Sequence, residues 1–126
     1  TSFDYRPYGT ELALCQRYCF VQGYANGGNA YGSLYIGQCS GTTNVQGAYY
    51  LPVTMRATPS FTWSGSFQEV ETGATGTTIT LNNPRSTPTQ CFLSANLSSG
   101  TVTTRNAGYL NANNSTTWYA KFESEL

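Results

Sequence analysis

Tyrosine and asparagine side chains recur at short spacing in two stretches of this chain. Aromatic faces stack on the C–H faces of sugars and amides hydrogen-bond to hydroxyls, so such loops can form a shallow site for a glycan or another receptor. The same residue types also form ordinary turns, with tyrosines covering the core. The candidates are Tyr24, Asn26, Asn29 and Tyr31 in a glycine-rich loop, and Tyr109, Asn111, Asn113 and Asn114 in a late loop.

The one carboxylate pair with suitable spacing is Glu69 and Glu71, two residues apart on a predicted strand and therefore on one face. Retaining glycosidases hold two carboxyl groups about 5 Å apart, so a polysaccharide-cleaving module is one hypothesis. The hypothesis we favour is a solvated strand face whose acidic groups discourage edge pairing.

The chain lacks the residue types that several kinds of catalytic and metal site require. The chain has no histidine, which excludes Ser/His/Asp and Cys/His nucleophiles and histidine-based metal sites. Asp4 is the only aspartate, so no carboxylate-rich calcium loop is present. The cysteine spacing lacks the paired knuckles of a zinc site. We therefore predict no enzyme activity, no cofactor and no metal.

Composition narrows the partners further. The 126 residues carry six basic and six acidic side chains, too few for a nucleic-acid or anionic-membrane surface. No apolar run approaches the roughly 18 residues of a membrane span, and no signal-peptide pattern is present, so we predict no membrane insertion. A surface rich in Thr, Ser, Asn, Gln and Tyr suits neutral, hydroxylated ligands.

The four cysteines are Cys15, Cys19, Cys39 and Cys91. Cys15 and Cys19 lie four apart, on one face of a predicted helix, where packing suits them better than a bridge. Buried free thiols are the expectation, although a Cys39–Cys91 bridge stays open at this stage.

The first 22 residues predict an arm followed by a short helix. Residues 1–10 are an extended arm, and Thr10 is a candidate N-cap for a helix from Glu11 to about Val21. A helix this short is not stable alone and needs a surface to pack on. Its apolar stripe is formed by Leu12, Cys15 and Cys19, and Leu14 and Tyr18 lie on the adjoining stripe.

Residues 23–126 predict a single all-β domain, because short strand-like runs alternate with turn residues at the spacing of a sandwich or barrel. We expect an antiparallel, jelly-roll-like β-sandwich with one short N-terminal α-helix. The predicted strands are Ser33–Gln38, Gly47–Leu51, Val53–Ala57, Ser60–Ser64, Ser66–Glu71, Thr77–Leu81, Gln90–Leu97, Thr101–Thr104 and Trp118–Glu125.

The segment RPYGTELALCQRY, from Arg6 to Tyr18, resembles the signature that opens the C-terminal domain of tail-fibre and virion-appendage proteins of tailed bacteriophages. More loosely, MRATP at 55–59 and the terminal WYAKFESEL resemble the later strands of those domains. The departure is Cys19-Phe20, where related segments continue with tyrosine and a charged residue.

The resemblance implies a virion protein made in the host bacterial cytoplasm, and a homotrimer whose helix residues Leu12, Leu14, Cys15 and Tyr18 contact neighbouring copies. Closed symmetry suits this, since a short helix with excess apolar surface gains burial by self-association. The function implied is non-catalytic attachment to a host-surface glycan or protein. The alternative is a structural cement or decoration protein that binds other virion proteins.

Overall fold

The structure is a computed structural model that describes residues 7–26 and 28–124. One α-helix, α1 (Tyr8–Gln16), is followed by strands and two short 3₁₀ turns, Tyr24–Asn26 and Asn83–Arg85. The strands are β1 (Cys19–Gly23), β2 (Ser33–Cys39), β3 (Asn44–Tyr50), β4 (Ser60–Ser64), β5 (Phe67–Glu69), β6 (Thr75–Leu81), β7 (Gln90–Ser99), β8 (Ala107–Ala112) and β9 (Tyr119–Glu123).

Two antiparallel sheets make up the fold. The larger sheet is curled until it closes, with the strand order β2-β3-β7-β6-β5-β8 and β8 paired back onto β2. The smaller sheet has the order β1-β9-β4. The predicted all-β, antiparallel sandwich with a single short helix is confirmed.

The core lies inside the closed sheet and between it and the smaller sheet. Strand β7 shows the alternation that fills it, since Cys91, Leu93 and Ala95 point inward and are fully buried. Phe122 of β9 joins the two sheets, because its ring stacks on Tyr49 of β3 with the centroids 4.7 Å apart. Burial of these aromatic rings supplies much of the hydrophobic stabilisation.

The helix differs from the prediction at both ends. It begins at Tyr8, with Pro7 in the N-cap position and no side-chain cap, so Thr10 lies inside the first turn and is not the cap. It ends at Gln16, because Cys19 to Gly23 pair with β9 and form β1. The apolar periodicity that suggested a longer helix belongs to two different elements. Most of the predicted arm, residues 1–6, lies outside the described residues.

Two predicted strands are wrong. Residues 53–57 form an irregular segment between Pro52 and Pro59, held by the buried Met55, whose amide donates to the Pro88 carbonyl at 2.8 Å. Residues 101–104 are also irregular and are anchored by Val102, whose amide donates to the Thr42 carbonyl at 2.8 Å. In both places one buried side chain produced an alternating pattern without a neighbouring strand.

All four cysteines are free thiols. Cys39 and Cys91 are buried, as predicted, and burial raises the pKa of Cys91 to about 11, which keeps it protonated. Cys15 and Cys19 are exposed, which corrects the expectation of burial, because Cys15 lies on α1, where no residue is buried, and Cys19 is the exposed first residue of β1. In the described part of the chain, no helix has the length and apolar character needed to cross a membrane.

Candidate functional site

The glycine-rich loop and the segment after β8 form one surface at one end of the closed sheet. Backbone hydrogen bonds join them, from Ala112 N–H to the Gly32 carbonyl at 2.8 Å and from Ser115 N–H to the Ala30 carbonyl at 3.0 Å. We call residues 24–26, 28–32 and 113–119 the loop surface. The structure thus brings together the two loops that the sequence singled out separately.

The buried side chain of Trp118 holds this surface in place. Its side chain is 1% exposed, and its indole N–H donates to the Asn29 carbonyl at 2.7 Å. The loop follows the indole so closely that a Cβ at Gly32 would lie 2.5 Å from Trp118 Cζ2. Only glycine fits that approach. Trp118 is therefore an anchor for the loops and supplies no stacking platform.

A cavity of about 180 Å³ opens beside the anchor. Its walls include Val21, Ala25, Thr116, Thr117 and Tyr119. This volume suits a single sugar ring or a similar small group. A mostly apolar lining with a few polar groups is typical of ligand sites, although this cavity is smaller than most of them.

Three tyrosines stand out from the loop surface. Tyr31 is 53% exposed, Tyr24 is 41% exposed and Tyr119 is 39% exposed. Tyr24 is placed by its own amide, which donates to the Trp118 carbonyl at 3.0 Å. Half-exposed aromatic side chains on a rigid support can stack on a ligand with little loss of conformational entropy.

The asparagines divide into turn formers and possible contacts. Asn29 Oδ1 accepts from the Tyr31 amide at 2.7 Å, so this side chain closes a turn. Asn114 adopts a left-handed φ of 45°, which also marks a turn residue. Asn113 is half-buried within the loop surface. Asn26 lies in the 3₁₀ turn after β1.

Tyr109 and Asn111 were predicted in a loop, but both lie in β8. Asn111 pairs with Ser33 of β2 near the loop surface, and its buried Oδ1 lacks a hydrogen-bond partner among the described residues. Tyr109 pairs with Ile36 farther along the strand and lines a second cavity, at the opposite end of β8. The structure therefore separates Tyr109 from the other candidates.

The loop surface carries no charge. No Asp, Glu, Lys or Arg occurs from Tyr18 to Met55 or from Asn106 to Ala120, and these two stretches supply all of it. Its polar groups are hydroxyls, amides and backbone. Such a surface gives no electrostatic preference to an ion, and it favours neutral ligands with hydroxyl groups.

Glu69 is not part of a solvated strand face. It is 1% exposed, and its carboxylate accepts from Thr72 N–H at 2.9 Å, Thr72 Oγ1–H at 2.8 Å and Glu71 N–H at 3.1 Å. Burial acts to raise the pKa of Glu69, but these bonds and one from the Tyr109 amide outweigh it and lower the pKa below 4.5.

Glu71 lies outside β5, in the turn that Glu69 stabilises, and is exposed. The two carboxylates therefore have different environments and do not form a matched pair. Glu69 Oε2 and Oε1 are both occupied by donors of the protein, so Glu69 serves this turn.

The predicted oligomer residues lie on α1 and just after it, before the first of these loops in the sequence. Leu12, Cys15 and Tyr18 are exposed, and Leu14 is half-buried. None of the helix residues is buried, and α1 packs against β1. The exposed Leu12 on this nine-residue helix leaves apolar surface in contact with solvent.

Sequence reasoning missed Thr116, Thr117 and Tyr119 as parts of the loop surface. The signal was present for Tyr119, because it follows the buried Trp118 in a predicted strand and must point to the other face. The sequence contains no pattern that places Thr116 and Thr117 on this surface, because their position depends on how the loops pack around Trp118.

Comparison with known proteins adds no family: no family model, no curated protein and no solved structure matches this chain. Function is therefore inferred from the residues and their geometry.

Proposed function

We propose that this chain is a non-catalytic appendage domain of a phage virion that attaches to a neutral glycan or a protein receptor of the host surface. The observation that carries the proposal is the uncharged loop surface with its three half-exposed tyrosines and adjacent cavity. The resemblance of residues 6–18 to the appendage signature gives the biological setting.

The loop surface suits reversible binding of sugars for two physical reasons. Its backbone is held by Trp118 and by strand-like hydrogen bonds, so little order has to be gained on binding. Its tyrosines combine an apolar face with a hydroxyl, which matches the two kinds of surface that a sugar presents. Affinity per site is modest in such a shallow site, so several copies are needed for firm attachment.

The assembly we propose is a homotrimer with α1 near the symmetry axis. Exposed Leu12 and Tyr18 and half-buried Leu14 are the side chains that gain burial there. Three copies then present three loop surfaces, and the linked sites raise the effective concentration for the second and third contact.

Attachment is tested by binding of the purified domain to intact candidate host cells and to their extracted polysaccharide. Saturable binding that falls at least about tenfold in a Tyr24→Ser/Tyr31→Ser double variant supports the proposal. Tyr50→Ser is the matched control, because Tyr50 is an exposed tyrosine outside the loop surface. Binding that is lost equally in the control contradicts it.

Assembly is tested on the same sample by light scattering. The wild-type domain is expected to be a trimer, and Leu12→Asp is expected to give a monomer. Ile36→Asp is the control, because Ile36 is exposed on β2 and away from α1. A wild-type monomer at micromolar concentration contradicts the trimer. A stable trimer that binds neither cells nor polysaccharide instead favours the structural cement or decoration role.

A further inference from the structure

A second cavity, of about 450 Å³, opens at the other end of β8. Two loops form it, the turn after β5 and the segment between β7 and β8. Val102 lies buried at its base, while Thr103, Asn106 and Tyr109 contribute polar groups to the walls. Unlike the loop surface, this cavity is lined by charged side chains. Arg105 comes from one loop, and the exposed Glu71 and the buried Glu69 come from the side of β5.

Arg105 and Glu71 face a common cavity without binding each other. Both side chains are exposed, and no ion pair joins either of them to any residue in the ranges 7–26 and 28–124. Opposite charges that share a cavity but stay apart each keep an unused hydrogen-bonding capacity. A guanidinium binds an acidic group in a two-pronged geometry, and a carboxylate accepts from an ammonium group.

The loop that carries Arg105 is held in an unusual conformation. Arg105 has φ 74°, a left-handed value that costs a non-glycine residue free energy. Its amide donates to the Cys39 carbonyl at 2.7 Å, and its carbonyl accepts from Gln38 Nε2 at 3.3 Å. The backbone is thus fixed on both sides while the side chain stays exposed.

The opposite wall is held by the buried carboxylate of Glu69. Its bonds to the amides of Glu71 and Thr72 close the turn, and its weaker contact of 3.5 Å with the Tyr109 amide ties that turn to β8. The positions of Glu71 and Tyr109 are therefore coupled. Both walls are rigid before any ligand arrives, which reduces the entropic cost of binding.

We propose that this cavity binds a small zwitterionic ligand of dipeptide size, with its acidic group on the Arg105 guanidinium and its ammonium group on the Glu71 carboxylate. The volume admits such a molecule, and Thr103 and Asn106 supply neutral hydrogen-bonding groups between the two charges. The site is separate from the loop surface and does not depend on the attachment function.

The test is an NMR titration of the full chain with alanyl-alanine. Saturable shifts of the Thr103, Asn106 and Tyr109 amides are expected, with a Kd of about 1 mM for a ligand this small. N-acetyl-alanyl-alanine lacks the ammonium group and alanyl-alanine amide lacks the carboxylate. Each is expected to bind at least about tenfold more weakly, because it loses one charge-assisted bond.

Variants assign the two charges. Arg105→Gln and Glu71→Gln are each expected to weaken alanyl-alanine binding about tenfold or more. Arg85→Gln and Glu123→Gln are matched controls and are expected to leave Kd unchanged, because both residues lie outside this cavity. Unchanged amide signals of the loop surface show that each variant is folded.

Three outcomes overturn the proposal. They are no saturable shift up to the solubility limit of the dipeptide, equal binding of the blocked dipeptides, and binding that the Arg105 and Glu71 variants leave unchanged. Tighter binding of the neutral disaccharide sucrose than of alanyl-alanine also overturns it and assigns the cavity to uncharged sugars.

Discussion

The two ends of β8 present two different kinds of surface on the same pair of strands. Near Asn111, β8 and β2 lead into loops without a single charged residue, held by the buried indole of Trp118. Near Ala107, β8 begins directly after the loop that carries Arg105, and the turn after the neighbouring strand β5, held by the buried carboxylate of Glu69, brings Glu71 to the same end. The closed sheet is a common support, and the chemistry of each end depends on its loops.

Trp118 and Glu69 also differ in how much stability is lost when each of them is replaced. An indole holds its loops by packing and one hydrogen bond, and such contacts are lost gradually as the fit becomes worse. A buried carboxylate holds its turn by several charge-assisted bonds, and its removal leaves several donors unpaired at once. Damage to the charged end is therefore expected to cost more stability than damage to the uncharged end.

The largest effect is expected from Glu69→Gln. The amide keeps the size of the carboxylate but replaces one of its two acceptor oxygens with an NH2 group, whose hydrogens then face the amide of either Glu71 or Thr72. We expect a loss of about 3 kcal/mol in the free energy of unfolding, measured by urea denaturation. Glu71→Gln, at an exposed position two residues away, is expected to change it by less than about 0.5 kcal/mol. Equal effects of the two substitutions would contradict the anchoring role of Glu69.

At the uncharged end, Gly32→Ala is expected to cost about 2 kcal/mol, because the new methyl group meets Trp118 Cζ2. Amide hydrogen exchange should show faster opening of residues 28–32 and no change around Glu69. Gly41→Ala is the control, since nothing lies within 4 Å of a Cβ at that position. A Gly32 variant as stable as the Gly41 variant would show that the indole does not hold the loop.

Acidification is expected to weaken the charged end of β8, where Glu69 lies, and to leave the uncharged end unchanged. The folded-state pKa of Glu69 lies below its ordinary value of 4.5, so its carboxylate stabilises the fold fully above pH 4.5. This contribution is lost as the pH falls below 4.5 toward the lower folded-state pKa. The stability difference between wild type and Glu69→Gln should therefore shrink on acidification, by less than the whole effect of the substitution. A difference that stays constant from pH 6 to pH 3 would contradict this.

The sequence predicted the fold class because apolar and polar residues alternate along a strand that is buried on one face, as Cys91, Leu93 and Ala95 do with their neighbours in β7. It failed at β8, whose residues Ala107, Gly108 and Asn111 have low strand propensity and form a strand only because β2 and β5 flank them. It also failed at Glu69, since the donors that permit a buried carboxylate come from a turn and from the amide of Tyr109.

The sequence indicated which types of residue form the candidate surface, but it did not indicate which of these residues lie together. Tyr24 and Tyr31 stand out in the sequence, and the structure exposes both on one surface. That Tyr109 belongs to the other cavity follows from the register of β8 against β2, which no local pattern contains. Arg105 gave no signal at all, because its left-handed backbone is imposed by bonds to Cys39 and Gln38.

The smallest expected effect separates stability from binding at the charged end. Arg105→Gly removes the cost of φ 74° for a side chain, and glycine's greater freedom in the unfolded chain offsets part of that gain. We expect a net stabilisation of about 0.5 kcal/mol in urea denaturation, together with loss of alanyl-alanine binding. A gain in stability together with lost binding would show that Arg105 contributes to the cavity through its side chain and not to the stability of its loop. If Arg105→Gly instead destabilises the domain by more than about 1 kcal/mol, the arginine stem contributes packing and the left-handed conformation carries no such meaning.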